Sequence, residues 1–301
     1  MPQLNLIWER QLIQCQNDQS EFSLLSFFIA LKKEHFFRSL YTFISTTANR
    51  LLLLDIVWES IQNGEDTSTA ALRSWDCAQS PEEYLKMKSH SKRVLSDDGV
   101  LFLVEAFQEE IDSLLSVPTS GNVDANFDEE QIRLLCQQNS LLLNLSSSEP
   151  YSELIRQHSQ NLIAALVKLL KSLQLWSRNN PDSVFAFRGQ LKDVDLNAES
   201  SSNPAYGFKR DIIGLIANII CGNRAAQDYL RTSDGLAALL DCAKIDARNP
   251  FILQWSIFAI HNALECNEEN QQYVAQMKSQ GVLQDDELVD RIQKNRPPRK
   301  I

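Results

Sequence analysis

The sequence predicts an all-α protein built as an armadillo/HEAT-like helical solenoid, and three observations predict it. The stretch from Phe208 to Val274 says nearly the same thing twice: Asn218, Asn223, Gln227 and Tyr229 recur 44 residues later as Asn262, Asn267, Gln271 and Tyr273. Apolar residues around both copies recur at helical spacing, with Ile212, Leu215, Ile216 and Ile219 forming one stripe and Trp255, Phe258, Ala259 and Leu264 the equivalent region. Only 9 glycines and 9 prolines interrupt 301 residues, which favours long helices over many short strands. A period near 44 is that of armadillo and HEAT repeats, whereas ankyrin and tetratricopeptide periods are shorter.

Residues 1–176 are expected to form N-terminal helical repeats. Leu4, Ile7, Trp8, Leu12 and Ile13, then Phe22, Leu25, Phe28, Ile29 and Leu31, follow helical spacing. Leu51–Leu54, Ile56, Val57, Trp58 and Ile61 are apolar nearly all round, as an inner helix requires, and Asn63-Gly64 stops that helix. Ser80-Pro81-Glu82-Glu83 is a capping box with proline at the first helical position. Asp97-Asp98-Gly99 opens another helix, with Val100, Leu101, Leu103, Val104 and Phe107 facing inward, and Asn126 is expected to cap the next. Asn144 lies 74 residues before Asn218 and marks a third, weaker copy of the repeat. The surplus over 44 falls in residues 177–206, rich in Asn, Pro, Gly and Ser, which read as a flexible insertion. Residues 207–295 hold the two clear repeats and a closing helix, Gly281–Lys294. Asn249-Pro250 reads as a cap and first-turn proline. Residues 296–301 are a short basic tail.

Charge and cysteine usage narrow the function. The net charge is −10, and it lies wholly before Phe208: 27 acidic and 17 basic residues precede that position, 12 of each follow. Such a surface repels phosphate backbones, so nucleic acid is not an expected ligand. The six cysteines are scattered with no C-x-x-C pair, which suits a reducing compartment. Residues 1–10 lack a basic start and apolar core, and the apolar run at 24–31 is too short to span a bilayer. A cytoplasmic protein without membrane insertion is expected.

No catalytic, cofactor-binding or metal-ligating constellation is visible. His35, His90, His158 and His261 are isolated from one another, and His261 and Cys266 fall on different faces of one helix. There is no His-Glu-x-x-His, Gly-x-Ser-x-Gly or phosphate loop, and no enzyme is expected. The candidate protein-binding residues are Asn218, Asn262, Phe258 and His261. In armadillo proteins that carry basic peptides, an asparagine here bonds the ligand backbone and a tryptophan stands four residues earlier. Gly214, Phe258 and Ser140 occupy that earlier position instead. The other role open to Asn218 and Asn262 is a bond between adjacent repeats, since buried amides need partners.

Gly207-Phe208-Lys209, Ile213, Asn218, Asn223, Gln227-Asp228, then Asp246, Asn249-Pro250-Phe251, Trp255, Ile257, Ala259-Ile260, Asn262 and Asn270-Gln271 closely resemble the C-terminal domain of ataxin-10 proteins. The resemblance implies armadillo-like cytoplasmic proteins that self-associate and bind other proteins, with roles in neuronal survival and neurite growth, cytokinesis and cilia. The leading expectation is therefore a non-enzymatic scaffold or adaptor, able to form a homo-oligomer. The alternative is a carrier of basic extended peptides in an acidic concave groove.

Overall fold

The computed structural model describes residues 36–44, 47–62, 95–116, 128–189 and 203–277. Among them every regular element is a helix. The helices in the N-terminal part are α1 (Phe36–Phe43), α2 (Thr47–Gln62) and α3 (Asp97–Ser116). Then come α4 (Glu129–Ser147), α5 (Glu149–Gln157), α6 (Gln160–Asn179), α7 (Phe208–Ile220), α8 (Arg224–Thr232), α9 (Gly235–Asp241), α10 (Ile252–Leu264) and α11 (Glu268–Gln276). The expected helices before residue 36, the Ser80 capping box, the closing helix at 281–294 and the basic tail lie outside the described residues.

The helices stack. α7 packs chiefly on α10 to one side and α4 to the other, while α2 and α3 extend the stack beyond α4. One continuous apolar core runs through it, from Phe37 and Leu40 to Ala259 and Ala263. α7 can lie in the middle because its apolar residues surround it: Ile212, Ile213, Leu215, Ile216, Ile219 and Ile220 are all fully buried. Gly214 leaves room between α7 and α4, since a Cβ there would come within 2.9 Å of the Leu143 side chain.

The repeat holds at the level of single residues. α7 and α10 are each 13 residues long, and α8 and α11 are each 9, with both starts displaced by the same 44 positions. Asn223 and Asn267 cap α8 and α11 identically, each side chain accepting from the backbone N–H three residues on. The unusual backbone angles repeat too. Gly207 precedes α7 at φ +80° and Phe251 precedes α10 at φ +64°, while Gly222 follows α7 at φ +65° and Cys266 follows α10 at φ +51°. The left-handed region is cheap for glycine and strained for residues with a Cβ. Cys266→Gly is therefore expected to stabilise the chain by about 1 kcal/mol, raising the melting temperature by about 2–4 °C in a thermal scan. Cys266 is exposed, so its removal sacrifices little packing.

Three local expectations change. α4 is capped by Asp128, whose carboxylate accepts from the Glu130 N–H at 3.2 Å, and not by Asn126, which precedes it by two residues. Asn249 does not cap α10. It is buried, accepts from the Arg210 N–H at 3.2 Å and donates to Asp246 at 2.9 Å, so it fastens the loop before α10 to the start of α7. The described residues at both ends of the expected insertion are packed. Phe185 is 5% exposed between the rings of Trp176 and Phe208, at centroid distances of 5.9 and 6.3 Å. Ala247 N donates to Arg188 O and Gly207 N to Arg248 O, both at 2.8 Å. An aromatic that buries this much surface anchors a segment whose overall composition reads as linker.

Candidate protein-binding face

The two asparagines singled out from the sequence occupy equivalent positions, and both point back into the stack. Asn262 is 3% exposed and donates to the Ala217 carbonyl at 3.0 Å. Asn218, half-buried, donates to the Leu143 carbonyl at 3.3 Å and to the Ser146 hydroxyl at 2.9 Å. Ala217 precedes Asn218 and Leu143 precedes Asn144, so each asparagine reaches the carbonyl just before its counterpart in the preceding unit. The third copy of the repeat, offset by 74 residues, is thus in register in space. Ala217 lies in the last turn of α7, where helix carbonyls lack partners within the helix. The following repeat supplies one. The amide groups that a peptide carrier would turn toward a ligand backbone are engaged within the fold.

A denser polar seam joins α8 to α11. Asn270, fully buried, donates to Gln227 O at 3.0 Å and Ala263 O at 2.8 Å, and accepts from Arg231 at 2.7 Å. Asn267 donates to the Gln227 side chain at 3.2 Å and to Asp228 at 3.1 Å, and Gln227 donates to Asn262 O at 2.9 Å. Desolvation works against the Asp228 carboxylate, but hydrogen bonds from Asn267, Arg231 and Arg224 outweigh it and hold its pKa below the ordinary value. Every polar group of the Asn270 side chain has a partner, which is what makes a buried network specify one register.

Phe258 and His261 point the other way. They share the outer face of α10 with Ile257, which the sequence reading did not single out. Ile257 is 56% and Phe258 46% exposed, and Phe251 at the helix start is 68% exposed. The Phe258 ring meets Trp255 edge-on at 6.0 Å, and His261 Nδ1 lies 3.4 Å from Asn262 Oδ1. One repeat earlier the same positions are Ile213 and Gly214, both buried in α7, the helix on which α10 packs. The stripe expected to bury Phe258 and Leu264 is therefore only partly buried: Ala259 is enclosed, while Phe258 is open, because no described helix covers α10 as α10 covers α7. The signal that finds Ile257 is its alignment with Ile213: a buried position in one unit becomes an exposed one in the last described unit.

Among the described residues no three His, Cys, Asp or Glu side chains converge as a metal site. His158 bonds Leu154 O at 3.0 Å within its own turn. No described helix is long and apolar enough to cross a membrane.

A family model described as the spinocerebellar ataxia type 10 protein domain matches residues 208–294. Ataxin-10 of Xenopus tropicalis is 30% identical over 181 residues, covering 60% of this chain and 35% of that protein. Ataxin-10 of Homo sapiens is 42% identical over 91 residues, 30% of this chain and 19% of that protein. The Ataxin-10 homolog of Dictyostelium discoideum is 38% identical over 99 residues, 33% of this chain and 16% of that protein. The match thus spans about a third or less of the length of these relatives. No solved structure matches.

Proposed function

Because this chain belongs to the ataxin-10 family, we propose that it is a non-enzymatic helical scaffold that binds partner proteins, among them a second copy of itself, through the outer face of α10. The single observation that carries this reading is the exposed apolar pair Ile257 and Phe258, set at positions that the preceding repeat buries beneath a neighbouring helix. A surface already shaped to receive a helix is a natural docking face for one. A two-fold pairing brings the same face of each copy together and closes the assembly. Self-association is also what the family resemblance implies. Cytoplasmic location, and roles of the ataxin-10 kind in neuronal survival, neurite growth, cytokinesis and cilia, belong to the same proposal.

Light scattering of the full chain over a concentration series tests it. The wild type is expected to show a dimer at tens of micromolar, roughly, and Ile257→Asp with Phe258→Asp to weaken association at least about tenfold, near 1.4 kcal/mol. Circular dichroism is expected to stay unchanged, since both side chains are exposed. A wild type that stays monomeric, or a double variant that dimerises as well as wild type, overturns the self-association. Association that emerges only on removing residues 278–301 would assign the face to the chain's own C-terminal segment.

A further inference from the structure

Apart from the face of α10, the ends of α6 and α9 and the start of α7 enclose a recess of about 260 Å³ with the segments at 181–188 and 244–246. Arg178, Arg188, Lys209 and Lys244 line it, against the carboxylates Asp241 and Asp246. In a chain of net charge −10 this recess has two positive charges in excess.

The carboxylates are already committed. Asp241 pairs with Arg178 at the rim. Asp246 accepts from the backbone N–H of Arg188 at 3.2 Å and of Arg248 at 3.1 Å, and from the Asn249 amide at 2.9 Å. The Lys244 ammonium lies 4.7 Å from the centre of the Phe187 ring. Lys209 stands in the first turn of α7, only 7% exposed, and its ammonium has no hydrogen bond or ion pair among the described residues. The Arg188 guanidinium likewise has none among them. The Lys209 stem is buried, but its ammonium is not among the enclosed polar atoms that lack a partner, so the charge meets the open space of the recess. Burial accordingly lowers the basicity of Lys209, with Cys242, Asp246 and Asp241 acting in the opposite direction. A cation on a buried stem that opens on a recess whose acids are occupied has the chemistry to accept an anion from outside.

We propose that this recess binds a phosphate-type dianion, inorganic or carried as a small phosphomonoester, with Lys209 and Arg188 as its principal ligands and Lys244 at its edge. Two excess charges match a dianion, whereas a carboxylate would leave one unbalanced. Arg188 supplies the planar fork and Lys209 the point charge, the two ways in which proteins hold phosphate oxygens.

Thermal scans of the full chain at constant ionic strength test this, with inorganic phosphate and O-phosphoserine as probes and chloride as control. Either phosphate is expected to raise the melting temperature by about 3 °C at roughly ten times its Kd. Lys209→Met, which keeps an unbranched stem, is expected to melt higher than wild type without phosphate and to lose the response. Arg188→Gln, at a half-buried position, is expected to weaken the response at least about tenfold in apparent affinity with its own melting temperature nearly unchanged. A response to phosphomonoester alone places the ester group in the recess, and a response to both places the phosphate there; each supports the proposal. No response in wild type, a response that chloride reproduces, or one that Arg188→Gln retains in full overturns it, whether or not Lys209→Met folds.

Discussion

Asn270→Asp is expected to lower the stability of the chain by about 3–5 kcal/mol, read as a shift of the urea midpoint at constant slope. The substitution changes almost no volume, and by simple charge counting it should help, since Arg231 is beside it. The hydrogen bonds say otherwise. Asn270 uses its oxygen for Arg231 at 2.7 Å and both amide hydrogens for backbone carbonyls, Gln227 O at 3.0 Å and Ala263 O at 2.8 Å. A carboxylate keeps the first contact and sets its second oxygen against two carbonyl oxygens. Both carbonyls then lose their side-chain donor at a fully buried position, where a lost bond is not replaced by water. Nor does Arg231 gain a missing partner, because it already pairs with Asp228 at 2.9 Å and Glu269 at 2.6 Å. Against a total of about 5–15 kcal/mol for a domain, the loss is large. A variant within about 0.5 kcal/mol of wild type would show that this polar seam does not hold α11 to α8.

The second large effect separates the interior of the stack from its end. Ile216 and Ile260 are equivalent residues, 44 positions apart, and both are isoleucine. Ile216 is fully buried in α7, between α4 and α10, whereas Ile260 is only partly buried against the core. Ile216→Ala is expected to cost about 2–5 kcal/mol, through lost transfer energy and the cavity left between helices on two sides. Ile260→Ala is expected to cost less than half of that, since the area it buries is smaller. Denaturation of the two variants side by side checks the comparison. Equal losses would mean that α10 is covered in solution, and repeating the measurement at low and high protein concentration would tell a second copy from the chain's own segment.

Much of this architecture is legible because the repeat carries two independent signals. Apolar spacing locates a helix only approximately, but Asn218/Asn262 and Asn223/Asn267 mark its end and the next helix's cap in both copies, so α7, α8, α10 and α11 can be placed from sequence almost residue by residue. The inter-repeat role of the asparagines is also readable, from the rule that a buried amide needs a partner. What could not be read are features set by tertiary contact. Phe185 looks like one aromatic in a polar, Ser-rich insertion, and only the neighbouring Trp176 and Phe208 rings show it to be buried. Asn249 before Pro250 has the form of a helix cap, yet its side chain serves Arg210, 39 residues away. Exposure of Ile257 depends on what covers α10, which no local pattern encodes. The cationic recess is gathered from five separated segments, with Lys209 one residue into an apolar helix, so neither charge runs nor spacing reveal it.

The asparagine contacts point one way along the chain: each later unit donates to a carbonyl that an earlier unit already displays. As the polypeptide leaves the ribosome, each of these two asparagines therefore emerges after the carbonyl it bonds, whereas Gln227 and Arg231 must wait for Asn262 and Asn270 before their own bonds across the seam can close.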